Sequence, residues 1–439
     1  MRVIVNIVTF VLLIVALVLW VFLPWFVALA LLVLLLAWLW TPRLGGERTR
    51  SVTAVGLSTL PQRLGSAAVI VVGIAGVVGV LVALLAMGEG YRQALTGSGS
   101  EDVAIILRGG SSNEVSSLLS RDNIVQIEQG PGIARNDKGE PLSSAELVVA
   151  ANLPVRGGGP DDVGSVQLRG AGEQAFAVRP KLKLTAGRRF QPGLRELIVG
   201  AGALRQFAGI ELGKEVRLGS QLWTVVGVFS TGDAFDSEIW ASAESVADAY
   251  RRGSSRTTVI AKLTSPDALA GLKKALGDNP QLAVDVSTTL EFYAKQSEGI
   301  VKVLRIIGIT VGAIMGIGAL FGALNTMFAA VAARAREIAT LRAIGFAGPP
   351  VVMAVMIETL LLALLGGLLG GAIAWALFDG FSASTMAAGS VGKLSFSLRV
   401  TPPLLWEGLK WALAIGLIGG LYPALRAARL PVTTALREL

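Results

Sequence analysis

Apolar residues fall into long runs, and the polar stretches between them set the plan of the chain. Residues 4–40 are almost uniformly hydrophobic. A straight helix over residues 7–40 would reach about 50 Å at 1.5 Å per residue, well beyond a hydrocarbon core of about 30 Å. The run has to fold back, and Pro24, flanked by Trp20, Trp25 and Phe26, marks the turn of a hairpin with aromatic residues at the interface. Its length, and the lack of a small-residue cleavage site, set this hairpin (residues 1–42) apart from a secretory leader. Residues 43–66 are polar and basic, with Arg43, Arg48, Arg50 and Arg63. Val52, Val55, Leu57 and Leu60 give this stretch an amphipathic spacing, so it is expected along the inner membrane surface.

A first core transmembrane helix follows at residues 67–88, where Gly73, Gly76 and Gly79 would admit another helix closely. Over residues 89–298 the pattern becomes that of a soluble α+β domain, large enough at about 200 residues to bury its own core. Strands are predicted at 103–107, 146–151, 167–168, 196–199, 216–218, 223–229 and 257–263, and helices at 113–119, 201–208, 241–251 and 266–276. Residues 299–439 return to membrane character, with spans at 300–330, 351–378 and 404–425 and a loop at 379–403. The fold class is a membrane α-helical bundle with an inserted α+β extracytoplasmic domain: four core transmembrane helices plus an N-terminal hydrophobic hairpin.

Composition sharpens this picture. Only 16% of residues are charged and mean hydropathy is +0.64, against about 25% charged in soluble domains. The net charge of +8 comes from arginines beside apolar spans rather than from a basic stripe with aromatics, which argues for lipid contact and orientation and against nucleic acid. Arginines at 43–63, at 334–342 and in the C-terminal tail place those segments inside and the large domain outside. With no cysteine and no histidine, disulfides, thiol nucleophiles, imidazole bases and the usual zinc sites are excluded.

The most specific segment lies where the second core span ends. Asn325 precedes a short connection carrying Arg334, Arg336 and Arg342, in which Ile338, Leu341 and Ile344 recur at three-residue steps and Gly345 supplies a stop. Glu337 is spaced to pair with arginine on such a helix. An amphipathic helix over residues 334–346, at the inner surface, suits docking by another protein; the plainer alternative is positive-inside anchoring. Within the next span Glu358 is a carboxylate in an apolar helix, suited to a hydrogen bond or ion pair with a neighbouring helix. Gly366, Gly367, Gly370 and Gly371 follow it, giving tight packing that also permits sliding. Gly209-Ile210-Glu211-Leu212-Gly213-Lys214-Glu215 fails as a phosphate loop in spacing and in its last residue, and is read as a turn. Asp233, Asp236 and Glu238 are read as a solvated loop rather than a calcium site. No catalytic, metal or cofactor residue is assigned.

The chain here resembles the FtsX-like permease family of ABC transporters, of the macrolide-exporter and lipoprotein-release type. The resemblance rests on Asn325-Thr326-Met327 with Arg336-Glu337-Ile338 and Leu341 to Gly345, and on Glu358 with the glycines after it. It rests also on Gly420-Leu421-Tyr422-Pro423-Ala424 with Arg426 to Leu430 and Ala435 to Arg437 in the tail, and on Gly187-Arg188, Leu197 to Gly200, Leu212-Gly213-Lys214 and Thr224 to Phe229 in the outer domain. It implies four core spans and a coupling helix between the second and third. It further implies a permease paired with a second copy or a paralogue, and a cytoplasmic ABC ATPase dimer that carries the ATP and Mg. Mechanotransmission would follow, exporting or extracting a hydrophobic compound, peptide or lipoprotein at the bacterial inner membrane, with a periplasmic adaptor as a further partner. The hairpin at residues 1–42 is extra to that pattern, and the ATPase is expected as a separate chain. Two other readings stand beside it: a signalling scaffold that regulates an extracytoplasmic enzyme, and a membrane-anchored hydrolase.

Overall fold

The computed structural model describes Pro24, Val27, Ala30, and residues 51–54, 58, 60–159, 162–279, 281–343, 348–386 and 392–429. The hairpin expected over residues 1–42 lies outside the described residues except at those three positions, as does most of the amphipathic segment up to residue 59. Two compact units divide the chain. A helical unit takes Met1–Ala86, Leu304–Asp379 and Arg399–Leu439, and a sheet unit takes Met87–Val303 and Gly380–Leu398.

Among the described residues, four helices are long and apolar enough to cross a membrane: α1 (Leu64–Gly97), α7 (Thr289–Ala333), α9 (Gly348–Phe378) and α10 (Pro402–Arg429). Packing inside the helical unit depends on missing side chains. A Cβ at Gly370 would sit 2.4 Å from the Ala75 carbonyl oxygen of α1, and one at Gly366 would sit 2.9 Å from that of Val71. One residue further round α9, Gly367 and Gly371 face Ala412 and Leu405 of α10. Two glycine pairs four residues apart thus bring two different helices against α9, where apolar surface alone gives no preference over lipid. Gly73 and Gly76 of α1 behave otherwise than expected: nothing lies within 4 Å of where their Cβ atoms would be, and Gly79 alone of the three meets a neighbour, the Gly370 carbonyl at 3.6 Å.

The sheet unit is built on a mixed sheet in the order β10-β1-β9-β2-β3-β8-β5-β7-β4, with β6 added beside β7. Its strands are β1 (Val103–Arg108), β2 (Ser143–Pro154), β3 (Val163–Ala171), β4 (Lys183–Gly187), β5 (Glu196–Gly200), β6 (Glu215–Leu218), β7 (Gln221–Ser230), β8 (Glu238–Ser242), β9 (Thr258–Lys262) and β10 (Val284–Thr288). Six shorter helices complete it or follow the long ones: α2 (Arg121–Glu128), α3 (Ala175–Val178), α4 (Ala201–Gln206), α5 (Ala243–Ala249), α6 (Ala268–Gly277), and α8 (Ala335–Ala343) in the helical unit. β2 is shared. Its residues Ser143 to Glu146 pair with β9, and Leu147 to Pro154 pair with β3. Two larger hydrophobic cores accordingly form, one around Ile106, Ile127, Val259 and Leu272, the other around Leu168, Val199, Phe207 and Trp223, and a third, smaller cluster joins Val103, Ile105, Leu107, Val178 and Ile260. β5 and β8 are buried along their whole length, as fits central strands covered on both faces.

Several expectations are corrected. The first core helix runs past residue 88 to Gly97, because Glu89 pairs with Arg92 (2.6 Å) and accepts from Gln93, so charged residues continue the helix instead of ending it. Residues 113–119 form turns rather than a helix, with the Ser116 amide donating to the Asn113 side-chain oxygen, which offers the backbone an alternative to helical bonding. Ala241 and Ser242, predicted helical, belong to β8. Residues 379–403 are not simply a loop: β11 (Ser382–Met386) and β12 (Lys393–Ser397) pair as an antiparallel hairpin within the sheet unit.

Candidate functional site

The junction at the end of α7 gathers the predicted inner residues. The helix breaks at Arg334 and resumes as α8, whose Ile338 amide donates to the Arg334 carbonyl at 2.9 Å. Arg334 then serves two carboxylates: its Nε meets Glu337 at 3.1 Å and its Nη1 meets Glu358 of α9 at 3.1 Å. The other Glu358 oxygen accepts from Arg63, also at 3.1 Å. A 5% exposed carboxylate in an apolar helix is therefore satisfied by two guanidiniums from segments 271 residues apart (334 minus 63).

Ile338 was expected on a stripe gripped by a partner, but it is 7% exposed within this chain, beside buried Ala339. The face α8 leaves open carries Arg336, Thr340 and Ala343 instead. Arg342 is half-buried; Ile344 and Gly345 lie outside the described residues, and so does the Leu341 side chain. Asn325 sits on an exposed part of α7, and Gly366, Gly367, Gly370 and Gly371 are placed as described above, away from this junction in sequence. Hydropathy reading missed Lys410 of α10, which is buried and held by Glu407 one turn earlier at 2.8 Å. The signal was available as an i, i+3 acid–base pair in an apolar run.

A second constellation lies in the sheet unit, where β2 passes from one core to the other. Arg169 of β3 is 1% exposed and binds three carboxylates: Glu114 (2.8 Å), Glu146 (2.9 Å) and Glu238 (2.7 Å). Arg179 grips both oxygens of Glu146, at 2.6 and 2.8 Å. Gln167 and Trp240 donate to Glu238, and Tyr293 of α7 donates to Glu114. Both guanidiniums lie against the rings of Phe235 and Trp240, at 5.0 to 5.9 Å. Burial pushes the Glu146 carboxyl up, but Arg179 and Arg169 pull it below its ordinary value. Burial pushes Glu238 up as well, and there Arg169 offsets only part of the effect. The solvated reading of residues 233–238 is thus overturned. Asp233 caps a turn through Phe235, and Glu238 is walled in. The Gly209 to Glu215 segment is a turn leading into β6.

Membrane-length helices interrupted between the first and second by a large sheet unit make up a multi-span membrane protein with an inserted α+β domain. Residues 67–279 match the description of a MacB-like periplasmic core domain, and residues 309–432 match the FtsX-like permease C-terminal domain. The chain thus carries a MacB-like periplasmic core domain followed by an FtsX-like permease C-terminal domain. It is 26% identical over 419 residues to the macrolide export ATP-binding/permease protein MacB 1/2 of Paracoccus denitrificans, covering 84% of this chain and 55% of that protein. It is 31% identical over 142 residues to the ABC transporter permease YknZ of Bacillus subtilis, covering 32% of this chain and 34% of that one. The solved periplasmic region of MacB from Actinobacillus actinomycetemcomitans is 19% identical with a TM-score of 0.34, covering 46% of this chain and 95% of that one. The chain spans about half the length of the MacB relative, at 55%.

Proposed function

We propose that the chain is the permease component of an ABC transporter in a bacterial inner membrane. A cytoplasmic ATPase that carries ATP and Mg presses on α8, and the motion reaches the sheet unit on the periplasmic side. The observation that carries this reading is the break at Arg334. A short helix with an exposed arginine is set between two apolar helices and tied by Glu358 to α9, so force applied to it would pass into the bundle rather than into a slack loop. α7 suits a lever, since its 45 residues extend about 68 Å, roughly twice a hydrocarbon core. These residues contain no phosphate loop, so nucleotide hydrolysis falls to an ATP-binding unit outside them. The cargo class that fits is a hydrophobic compound, peptide or lipoprotein handled outside the bilayer. The permease would work as a pair, with a second copy or a paralogue.

The test is stimulation of the cognate ATPase in reconstituted vesicles. Arg336→Glu with Leu341→Asp is expected to abolish stimulation while the protein stays inserted; unchanged stimulation would remove α8 as the docking element. Orientation is checked separately in this cysteine-free chain: Ser220→Cys and Ala347→Cys are expected to label from opposite sides of the membrane.

A further inference from the structure

Within its membrane span, α7 carries an amide that the rest of the chain does not satisfy. Asn325 lies nine residues before the break at Arg334 (334 minus 325), about 14 Å along the helix, too deep for a short side chain to reach interfacial water. It is exposed, and its side chain makes no hydrogen bond among the described residues. Its neighbour Thr326 behaves differently, donating to the Gly322 carbonyl of its own helix at 2.8 Å, as Thr359 of α9 does to that of Val355. A carboxamide offers two donors and an acceptor, and lipid tails answer none of them. Lipid suffices to cover the apolar exposed residues of α7 and α9, but not Asn325.

The amide stands on a continuous open stripe. Thr310, Ile314, Ile317, Gly318, Phe321 and Asn325 are all exposed and recur at steps of three and four, which keeps them on one face of the helix. The Thr310 hydroxyl is likewise without a hydrogen bond among the described residues. Nothing lies within 4 Å of where a Cβ would stand on Gly318 or Gly322, whereas Gly308 and Gly312 meet Leu84 and Leu81 of α1, and Gly316 meets Ile415 of α10. One glycine series of α7 is therefore used inside the chain and the other is left open. Between Arg305 and Arg334 the helix has no charged residue, so the open face suits another membrane helix rather than a water-soluble partner.

We infer that this stripe seats the α7 of a second copy of the chain, parallel and in register, with the two Asn325 amides bonded to each other across a two-fold axis. The inference rests on the reading of the permease as a pair, and selects a second copy over a paralogue. Copies inserted in one membrane share an orientation, so a two-fold axis along the membrane normal sets like residues opposite one another. A carboxamide is self-complementary in that arrangement, each donating to the other's oxygen. A single asparagine in an otherwise apolar seam fixes both register and pairing, and Gly318 lets the two backbones approach.

The chain has no cysteine, so single cysteines introduced into the full-length protein report the seam by disulfide formation in membranes treated with a lipid-soluble oxidant. Ile314→Cys and Phe321→Cys are expected to give crosslinked dimer, and Leu368→Cys, on the exposed face of α9, to give about a tenth of that yield or less. Energy transfer between labelled copies in vesicles reads the strength of the pair. Asn325→Leu, which makes the span more apolar and leaves insertion favoured, is expected to weaken it about three- to tenfold; Asn325→Gln, which keeps the amide, is expected within about twofold of wild type. Absence of self-crosslinks at both α7 positions, or equal yield at Leu368→Cys, overturns the seam, and unchanged pairing in Asn325→Leu overturns the role of the amide. ATPase stimulation that persists while no self-crosslink forms sinks the seam and spares the coupling reading; crosslinks without any stimulation do the reverse.

Discussion

The two units hold themselves together by opposite means. In the helical unit, contact comes from what is absent: Gly366 and Gly370 let α9 lie on the backbone of α1, and the junction carboxylate Glu358 is answered by two partly exposed arginines. In the sheet unit, the seam between two cores is filled with ionisable side chains: five of them, all under 10% exposed, two being arginines set against Phe235 and Trp240. The contrast follows from the surroundings. Between helices in lipid, apolar area gains nothing by association, so close approach and a few polar contacts decide the packing. In a water-facing domain, hydrophobic cores supply stability, and a buried ion network there fixes which strands meet rather than adding much net stability.

Gly370→Leu attacks the first means and should have the largest effect. Its Cβ would strike backbone at 2.4 Å, where no side chain can swing away, so loss of the assembled bundle is expected, read as loss of a cooperative melting transition in detergent. Gly76→Leu, whose Cβ meets nothing within 4 Å, is expected to melt like wild type. Equal damage from both would show that glycine contacts are not what closes the bundle. Arg169→Met attacks the second means, leaving three carboxylates in one site. A cost of about 3–5 kcal/mol is expected, seen as faster hydrogen exchange in β2, β3 and β8 with the helical unit unaffected.

A pH series separates the carboxylates. Glu146 lies below its ordinary value of 4.5 in the folded state, so its contribution is present above that value and is lost as pH falls toward the lowered one. Glu238, raised by burial, runs the other way: its contribution is present at acid pH and is lost as pH rises past the ordinary value. Glu146→Gln is expected to flatten the acid side of the stability profile of the sheet unit. The smallest effect belongs to Arg92→Ala, which removes an exposed i, i+3 pair worth about 0.5 kcal/mol or less and would show as slight fraying of the last turns of α1.

The sequence made the helical unit legible because hydropathy is a local signal. Runs of membrane length, the arginine cluster after α7 and a lone carboxylate at Glu358 each announce themselves within a few residues. The sheet unit was legible only in part. Strongly alternating or apolar strands such as β1, β5 and β7 were found, whereas β4 and β10 were passed over and the start of β8 was taken for solvated loop. The ion network could not be read at all. Arg169 reaches Glu146, Glu114 and Glu238 across 23, 55 and 69 positions, and each carboxylate looks like an ordinary surface residue among its neighbours. Amphipathicity misled at α8, where Ile338 turned toward its own chain rather than outward. An apolar stripe says that a face will be covered, not by what.

Because β2 gives its first four residues to one ladder and the remainder to another, neither half of the sheet unit can be exchanged for a homologous module by a cut at a natural border. A chimera joined anywhere along that strand would leave a raw hydrogen-bonding edge on each fragment, ready to template aggregation, so the pair should be inherited whole while its peripheral turns diversify.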